Sequence, residues 1–163
     1  MRDWIPVPGT AKARLVSAAI RRFEADGFEA AAVAALAADA EVTTGALYHH
    51  FGSKLGLYQV VREEMERRVV DRIAGAVAVA PDGRARIAAA LLVAFDAAVH
   101  FSVCRILAEP TPANHPDPIA DALHPLVPTP PTATVLAAAW RAALLTANEN
   151  PKAARAALEY VVG

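Results

Sequence analysis

Apolar residues recur every three or four positions along most of the chain, which is the period of amphipathic helices. The first such column contains Leu15, Ala19 and Phe23. It lies between Thr10, which can cap a helix N-terminus, and Gly27, which suits a helix C-terminus. The pattern predicts an N-terminal arm and then three helices, over about residues 1–9, 10–26, 32–38 and 43–49.

A longer helix follows, because a column of apolar residues from Leu57 to Val69 continues at steps of four. This connecting helix is predicted over residues 54–79, with the charged residues at positions 63–68 on its solvated face. The next apolar stretch contains no glycine or proline and predicts one long helix from residue 84 to about residue 109.

Prolines crowd residues 110–131, and proline at this density prevents long helices. The segment is predicted to be a loop, with at most a short turn at residues 119–123. Helical periodicity returns over residues 132–147 and 152–162, separated by a turn that ends in Asn150-Pro151. Because this turn is short, the last two helices are expected to lie antiparallel.

Composition agrees with an all-α fold, since 55% of the residues are hydrophobic and many are alanine, the best helix former. No apolar run approaches the roughly 20 residues of a membrane span, and the N-terminus lacks the apolar core of a signal peptide. The single cysteine, Cys104, excludes an internal disulfide. These features predict a cytoplasmic protein. The net charge of −1 does not by itself indicate a nucleic-acid partner.

Candidate binding chemistry is concentrated in residues 43–54. Thr43 can cap a short helix, and Gly45 leaves the first turn of that helix without a side chain. Ser53 can cap the next helix, and Lys54 then places a cation beside unpaired backbone N–H groups, where a phosphate can bind. This arrangement is typical of a recognition helix that lies against DNA.

The same stretch extends into a longer pattern that resembles the DNA-binding domain of the tetracycline-repressor (TetR) family. The matching residue types lie between about Thr10 and Arg68, and the C-terminal part matches only in helical character and length. The pattern reads Leu36-Ala37…Ala40-Glu41-Val42-Thr43-x-Gly45-x-Leu47-Tyr48-x-His50-Phe51-x-Ser53-Lys54-x-x-Leu57.

The resemblance implies an N-terminal helix-turn-helix DNA-binding domain, residues 1–53, and a C-terminal helical domain for dimerisation and ligand binding, residues 54–163. By this resemblance Tyr48 and Lys54 hold phosphates, which set the position of the protein on DNA. By the same resemblance Thr44, Ala46 and His49 face base edges, which carry the sequence information. The predicted DNA-binding residues are Thr43, Thr44, Gly45, Ala46, Tyr48, His49 and Lys54.

Two positions depart from the family pattern. Ala32 stands where a threonine or serine usually caps the second helix and touches a phosphate, so this cap is expected to be weaker by about 1 kcal/mol. Glu41 stands where glycine is common in the turn before the third helix, and glycine suits a positive φ better than glutamate does.

Five residues of the C-terminal part are candidates for a ligand cavity, because the cores of helical bundles host ligand sites. The alternative is that they simply pack in the core. His100 and Cys104 are four residues apart, but with His115 and His124 they match no usual zinc spacing, so no metal is expected. The candidate ligand-binding residues are Phe95, His100, Phe101, Cys104 and Trp140.

The sequence contains no phosphate-binding glycine loop, nucleophile elbow or paired-carboxylate motif, so neither an enzyme nor a cofactor is expected. We expect a one-component transcriptional regulator, a repressor released from a pseudo-palindromic operator by a small-molecule effector. It is expected to form a homodimer through helices 132–147 and 152–162. The alternative is a dimeric helical protein of this fold that has lost effector or DNA binding and acts as a protein-interaction module.

Overall fold

The computed structural model describes residues 8–109 and 116–163. Within these ranges the chain forms nine α-helices and a short 3-10 helix and no strand, so the predicted all-α fold is confirmed. Residues 1–7 of the predicted arm and residues 110–115 of the predicted loop lie outside the described residues. The helices are α1 (Ala11–Asp26), α2 (Val33–Asp39), α3 (Thr44–Phe51), α4 (Lys54–Val79), α5 (Arg84–His100), α6 (Cys104–Ala108), α7 (Pro118–Leu123), α8 (Pro130–Ala147) and α9 (Pro151–Val162), with the 3-10 helix at His124–Leu126.

The chain divides into two compact units, Met1–Glu63 and Glu64–Gly163, and the division falls within α4. In the first unit α1 packs on α2 and α3. Three aromatic rings close its core, with centroid distances of 5.1 Å for Phe23–Tyr58, 5.0 Å for Phe28–Tyr58 and 6.0 Å for Phe23–Phe28. The fully buried leucines of this unit are Leu15, Leu36, Leu47 and Leu57.

Helix starts in the first unit follow local capping chemistry. The Thr10 hydroxyl accepts a hydrogen bond from the N–H of Ala13 at 3.2 Å, and the Ser53 hydroxyl accepts one from Gly56 at 2.9 Å. By contrast, Ala32 precedes α2 without any side-chain cap, as the sequence predicts. These short-range features are why the first four helices begin and end within one or two residues of their predicted bounds.

In the second unit α8 is the central helix, and α5, α6, α7 and α9 all pack against it. Trp140 of α8 is completely buried. The neighbouring Arg141 forms a two-pronged ion pair with Asp117, at 2.8 and 2.7 Å. Asp117 also caps α7 by accepting from the N–H groups of Ile119 and Ala120, so one carboxylate joins two helices.

The prediction of one long helix over residues 84–109 is wrong, because α5 ends at His100 and α6 begins only at Cys104. Ser102 lies between them with a φ of +54°, a conformation that reverses the chain direction locally. Val103 is fully buried, and the half-buried Phe101 ring lies 5.8 Å from the Arg68 guanidinium. Burial of these flanking side chains overrides the helical propensity of the sequence.

The proline-rich segment is also more helical than predicted. Pro118 and Pro130 each stand at the start of a helix, where proline is tolerated because its missing N–H would lack a partner there anyway.

The charged stretch of α4 also differs from its prediction, since Glu64 is buried with hydrogen bonds from Arg67 and Arg68, both at 2.7 Å. None of the described helices is long and apolar enough to span a membrane.

Candidate nucleic-acid interface

The third helix, α3, is fixed at both ends by its own sequence. The Thr43 hydroxyl accepts a hydrogen bond from the N–H of Ala46 at 3.2 Å, as expected of a cap. At the other end Gly52 has a φ of +74° and donates its N–H to the carbonyl of Tyr48 at 2.9 Å. Leu47 is fully buried, so it determines which side of α3 faces the core.

The opposite side of α3 faces solvent. Thr44, Gly45 and His49 are exposed there, and Tyr48 keeps 51% of its surface accessible although it is a large aromatic residue. Of the predicted base-contacting residues only Ala46 is half-buried. The structure therefore places the predicted residues of α3 on one continuous, mostly exposed face.

The turn between α2 and α3 contains the expected strain. Glu41 has a φ of +54°, the left-handed conformation that glycine tolerates better than glutamate. The turn is held by backbone hydrogen bonds from Glu41 N–H to Ala38 and from Val42 N–H to Ala37, both at 3.0 Å. The Glu41 side chain is exposed, so its carboxylate lies in solvent immediately before the start of α3.

Arg14 reaches this turn from α1, a contact that sequence reasoning missed. Its Nε donates to the carbonyl of Ala40 at 2.9 Å, and its Nη1 donates to the carbonyl of Gly9 at 2.8 Å. Ala40 ends α2, where carbonyl groups lack helical partners and a cation is favoured. Arg14 therefore ties the turn before α3 to the start of α1. No local pattern could have revealed a contact between residues 26 positions apart.

Lys54 is not simply displayed to solvent. Its ammonium donates to the carbonyl of Phe28 at 2.8 Å and to that of Glu29 at 3.3 Å, and lies 4.5 Å from the centre of the Phe28 ring. An ammonium has three donors, so these two bonds leave one for another acceptor. Lys54 thus has a structural role, joining the start of α4 to the segment after α1, which the sequence did not predict.

Gly56 is a second residue that sequence reasoning missed. A Cβ at this position would lie 2.1 Å from the carbonyl oxygen of Phe51, far inside contact distance. Only glycine allows the first turn of α4 to approach the last residue of α3 so closely. The signal in the sequence was an isolated glycine inside a helical pattern, which often marks a close approach.

Several cations of the first unit are engaged by carboxylates or carbonyls. Arg22 lies 2.6 Å from Asp39, the last residue of α2, and 3.2 Å from Asp26. Hydrogen bonding to Asp39, and secondarily to Asp26, raises the pKa of the Arg22 guanidinium above its ordinary value. Arg22 therefore joins the C-terminal part of α1 to the end of α2.

The five predicted ligand-binding residues do not lie on one surface. Trp140, Phe95 and Cys104 are buried, Phe101 is half-buried, and His100 is exposed. A groove of about 370 Å³ between α5 and α9 is lined by Phe95 and His100 but not by the other three. Within residues 8–109 and 116–163, no cluster of three His, Cys, Asp or Glu side chains could hold a metal ion.

Comparison with known proteins supports the resemblance stated from the sequence. The model of the family "Bacterial regulatory proteins, tetR family" matches residues 15–61. No curated protein matches the chain significantly. The chain is similar to the structure of a TetR-like transcriptional regulator from Rhodococcus sp. RHA1, with 21% identity, a TM-score of 0.74 and coverage of 96% of this chain and 95% of that one.

A second similar structure is that of a TetR-family transcriptional regulator from Pectobacterium atrosepticum, with 23% identity, a TM-score of 0.65 and coverage of 93% of this chain and 88% of that one. At 21% and 23% identity, these structural similarities show that the chain shares the fold of both proteins. The predicted resemblance is thus confirmed: residues 15–61 match the tetR family of bacterial regulatory proteins, and the described chain has the all-α fold of TetR-like transcriptional regulators.

Proposed function

We propose that this protein is a DNA-binding transcriptional regulator whose recognition helix is α3. The observation that supports this most directly is the exposed face formed by Thr44, Gly45, Tyr48 and His49 on a helix whose other side is anchored by buried Leu47. A short helix with a bare first turn and polar aromatic side chains fits a major groove. Thr43 and Lys54 complete the proposed contact set, since both lie at helix starts, where phosphates bind.

The proposed assembly is a homodimer formed through α8 and α9. Both helices expose apolar side chains: Val135 is 66% exposed, Leu145 63%, Tyr160 91% and Val161 54%. These side chains lie on two helices that pack against each other, and a second copy of the chain would cover them. On α9, Ala157 and Val161 are exposed as such an interface requires, whereas Ala154 and Leu158 are buried within the unit.

In the proposed mechanism, two subunits place their α3 helices in successive major grooves of a pseudo-palindromic operator. The protein acts as a repressor, and a small molecule bound in the C-terminal unit releases it. Such a ligand shifts the equilibrium only as far as it prefers the DNA-free arrangement over the DNA-bound one.

The dimer is tested by light scattering at micromolar concentration. The wild-type chain is expected to have twice the monomer mass, and Leu145→Glu is expected to lower it by placing charges against each other in the interface. The matched control is Val79→Glu, because Val79 of α4 is 85% exposed outside this surface. A monomeric wild type would refute the proposed assembly.

DNA binding is tested by gel shift on the DNA that flanks the gene for this protein. Gly45→Glu should abolish binding, because it places a bulky anion on the α3 face opposite phosphates. The matched control is Gly75→Glu in α4, where an added Cβ would meet no atom within 4 Å. If the dimer forms but the wild type binds no such DNA, the protein-interaction module becomes the better interpretation.

A further inference from the structure

Arg14 of α1 bonds two backbone segments at once. Its Nε donates to the carbonyl of Ala40 at 2.9 Å, and its Nη1 donates to the carbonyl of Gly9 at 2.8 Å. The planar guanidinium holds its five N–H donors in fixed directions, so the two bonds are made by one rigid group. A lysine ammonium has a single nitrogen on a flexible stem and cannot reproduce both bonds in this geometry.

The turn that receives the first of these bonds is strained. Glu41, directly after Ala40, has a φ of +54°, which a residue with a Cβ adopts only at an energetic cost. Such a conformation persists when the surrounding structure fixes it. Backbone bonds from the Glu41 and Val42 N–H groups fasten the turn to α2, and the Arg14 Nε fastens it to α1. The next residue is Thr43, the cap of α3, so relaxation of the turn would displace the start of α3.

We propose that Arg14 is a positioning residue for DNA binding. By bonding the carbonyl of Ala40, it holds the strained turn, and with it α3, in the arrangement that binds DNA. This inference rests on the proposed regulator function and adds to it a residue outside α3. A protein that populates its binding-competent arrangement only in part loses affinity in proportion to that fraction. Arg14 therefore raises the affinity through the backbone, without touching a base.

The alternative role for an arginine at this place is a phosphate contact. Arg14 is exposed, and its two bonds leave three N–H donors. The salt dependence of binding distinguishes the two roles. Loss of a phosphate contact lowers the slope of log binding constant against log salt concentration by about one per subunit contact. Loss of a positioning contact weakens binding alike at every salt concentration, because the number of phosphates contacted stays the same.

The first test is a gel shift of the full chain on the DNA that flanks its gene, at several salt concentrations and at a temperature where every variant is folded. Arg14→Lys keeps the charge but should weaken binding about tenfold, as Arg14→Gln does, with the salt slope preserved in both. The matched control is Arg21→Lys, because Arg21 is exposed on the same helix and its side chain makes no hydrogen bond within the described residues. In a Glu41→Gly background, where glycine relieves the strain, the loss caused by Arg14→Lys should be smaller.

The second test needs no DNA. The Glu41 and Val42 N–H groups hold the turn through bonds of 3.0 Å. In hydrogen exchange of the free protein, Arg14→Lys should speed the exchange of these two amides about tenfold and leave the amides of α4 unchanged. Arg21→Lys should change neither set.

Full DNA affinity of Arg14→Lys, a salt slope lowered by one per subunit in Arg14→Gln, or unchanged exchange of the Glu41 and Val42 amides would each overturn the proposal. If the wild type binds none of this DNA, the regulator function fails, and the exchange measurement still decides whether Arg14 fixes the start of α3. If the wild type binds and Arg14→Lys binds equally well, the regulator function stands and the role of Arg14 fails.

Discussion

Replacing Glu41 by glycine should relieve backbone strain in the turn before α3. The φ of +54° costs a residue with a side chain roughly 1–2 kcal/mol, and glycine avoids this cost. Against it, glycine makes the unfolded chain more flexible by about 0.5–1 kcal/mol. A carboxylate before a helix start also contributes about 0.3–1 kcal/mol at most, and less when exposed as here. With strain and flexibility at the middle of their ranges and the carboxylate contribution at its low end, the expected change in the free energy of unfolding is about +0.5 kcal/mol.

Two comparison variants separate the contributions to this change. Glu41→Gln keeps the strained backbone but removes the charge, so it should not stabilise the fold. It should, however, share any gain in operator affinity at low salt, because a carboxylate near the α3 face repels phosphates. Arg14→Ala removes the hydrogen bond to Ala40 at 2.9 Å, and its destabilisation should be smaller in a Glu41→Gly background, where the turn needs less support.

The assay is urea unfolding at neutral pH, with the free energy of unfolding obtained from the midpoint at constant slope. A loss of stability in Glu41→Gly greater than about 0.5 kcal/mol would refute the strain argument, since the opposing contributions would then exceed the strain. Weaker operator binding by both Glu41→Gly and Glu41→Gln in a gel shift would refute the electrostatic argument.

Three further predictions follow from individual side chains. Gly56→Ala should lower the free energy of unfolding by roughly 1–3 kcal/mol, because the added methyl group overlaps the carbonyl of Phe51. Gly75→Ala in the same helix should raise it by about 0.5–1 kcal/mol. Equal effects of the two substitutions in urea unfolding would contradict the close contact between Gly56 and Phe51. Lys54→Ala should reduce the slope of log binding constant against log salt concentration by about one per subunit contact, and Tyr48→Phe should weaken binding to all DNA sequences alike. If Lys54→Ala lowers the stability but leaves this slope unchanged, Lys54 serves the fold and not DNA binding. Burial raises the pKa of the Asp117 carboxyl, but the ion pair with Arg141 and two backbone N–H groups outweigh this and lower the pKa overall. The stabilisation by Asp117 is therefore present above its ordinary pKa and is lost as pH falls through the lowered value. Asp117→Asn should cost roughly 1–3 kcal/mol at pH 7 and weaken the loss of stability at acid pH, and an unchanged loss at acid pH would refute this role of Asp117.

Sequence reasoning succeeded where the deciding interaction is short-range. Thr43 and Asn150 cap helices through residues three positions ahead, and the expected positive φ at Glu41 is set within a single turn. Such interactions leave a mark in neighbouring residue types, so helix starts could be predicted.

The features that escaped prediction depend on distant contacts. Ser102 breaks a stretch with no glycine or proline, because the burial of Val103 decides the chain path there. Arg14 and Lys54 each donate to carbonyls about 26 residues away, and a charged side chain gives no sign in the sequence of which carbonyl it will reach. The predicted ligand residues were chosen by helical spacing, which cannot distinguish core packing at Trp140 from an open groove beside His100.

The missing cap at Ala32 has a consequence for hydrogen exchange. In α2, which spans only Val33–Asp39, the Leu36 N–H donates to the carbonyl of Ala32 at 3.0 Å, whereas the three N–H groups before it lack intrahelical acceptors and no side chain caps them. The helix is kept in place from outside, by buried Leu36 and by the Arg22–Asp39 pair at 2.6 Å. Amide protons in the first turn of α2 should therefore exchange through local opening, far faster than those of α1, even while α3 stays folded.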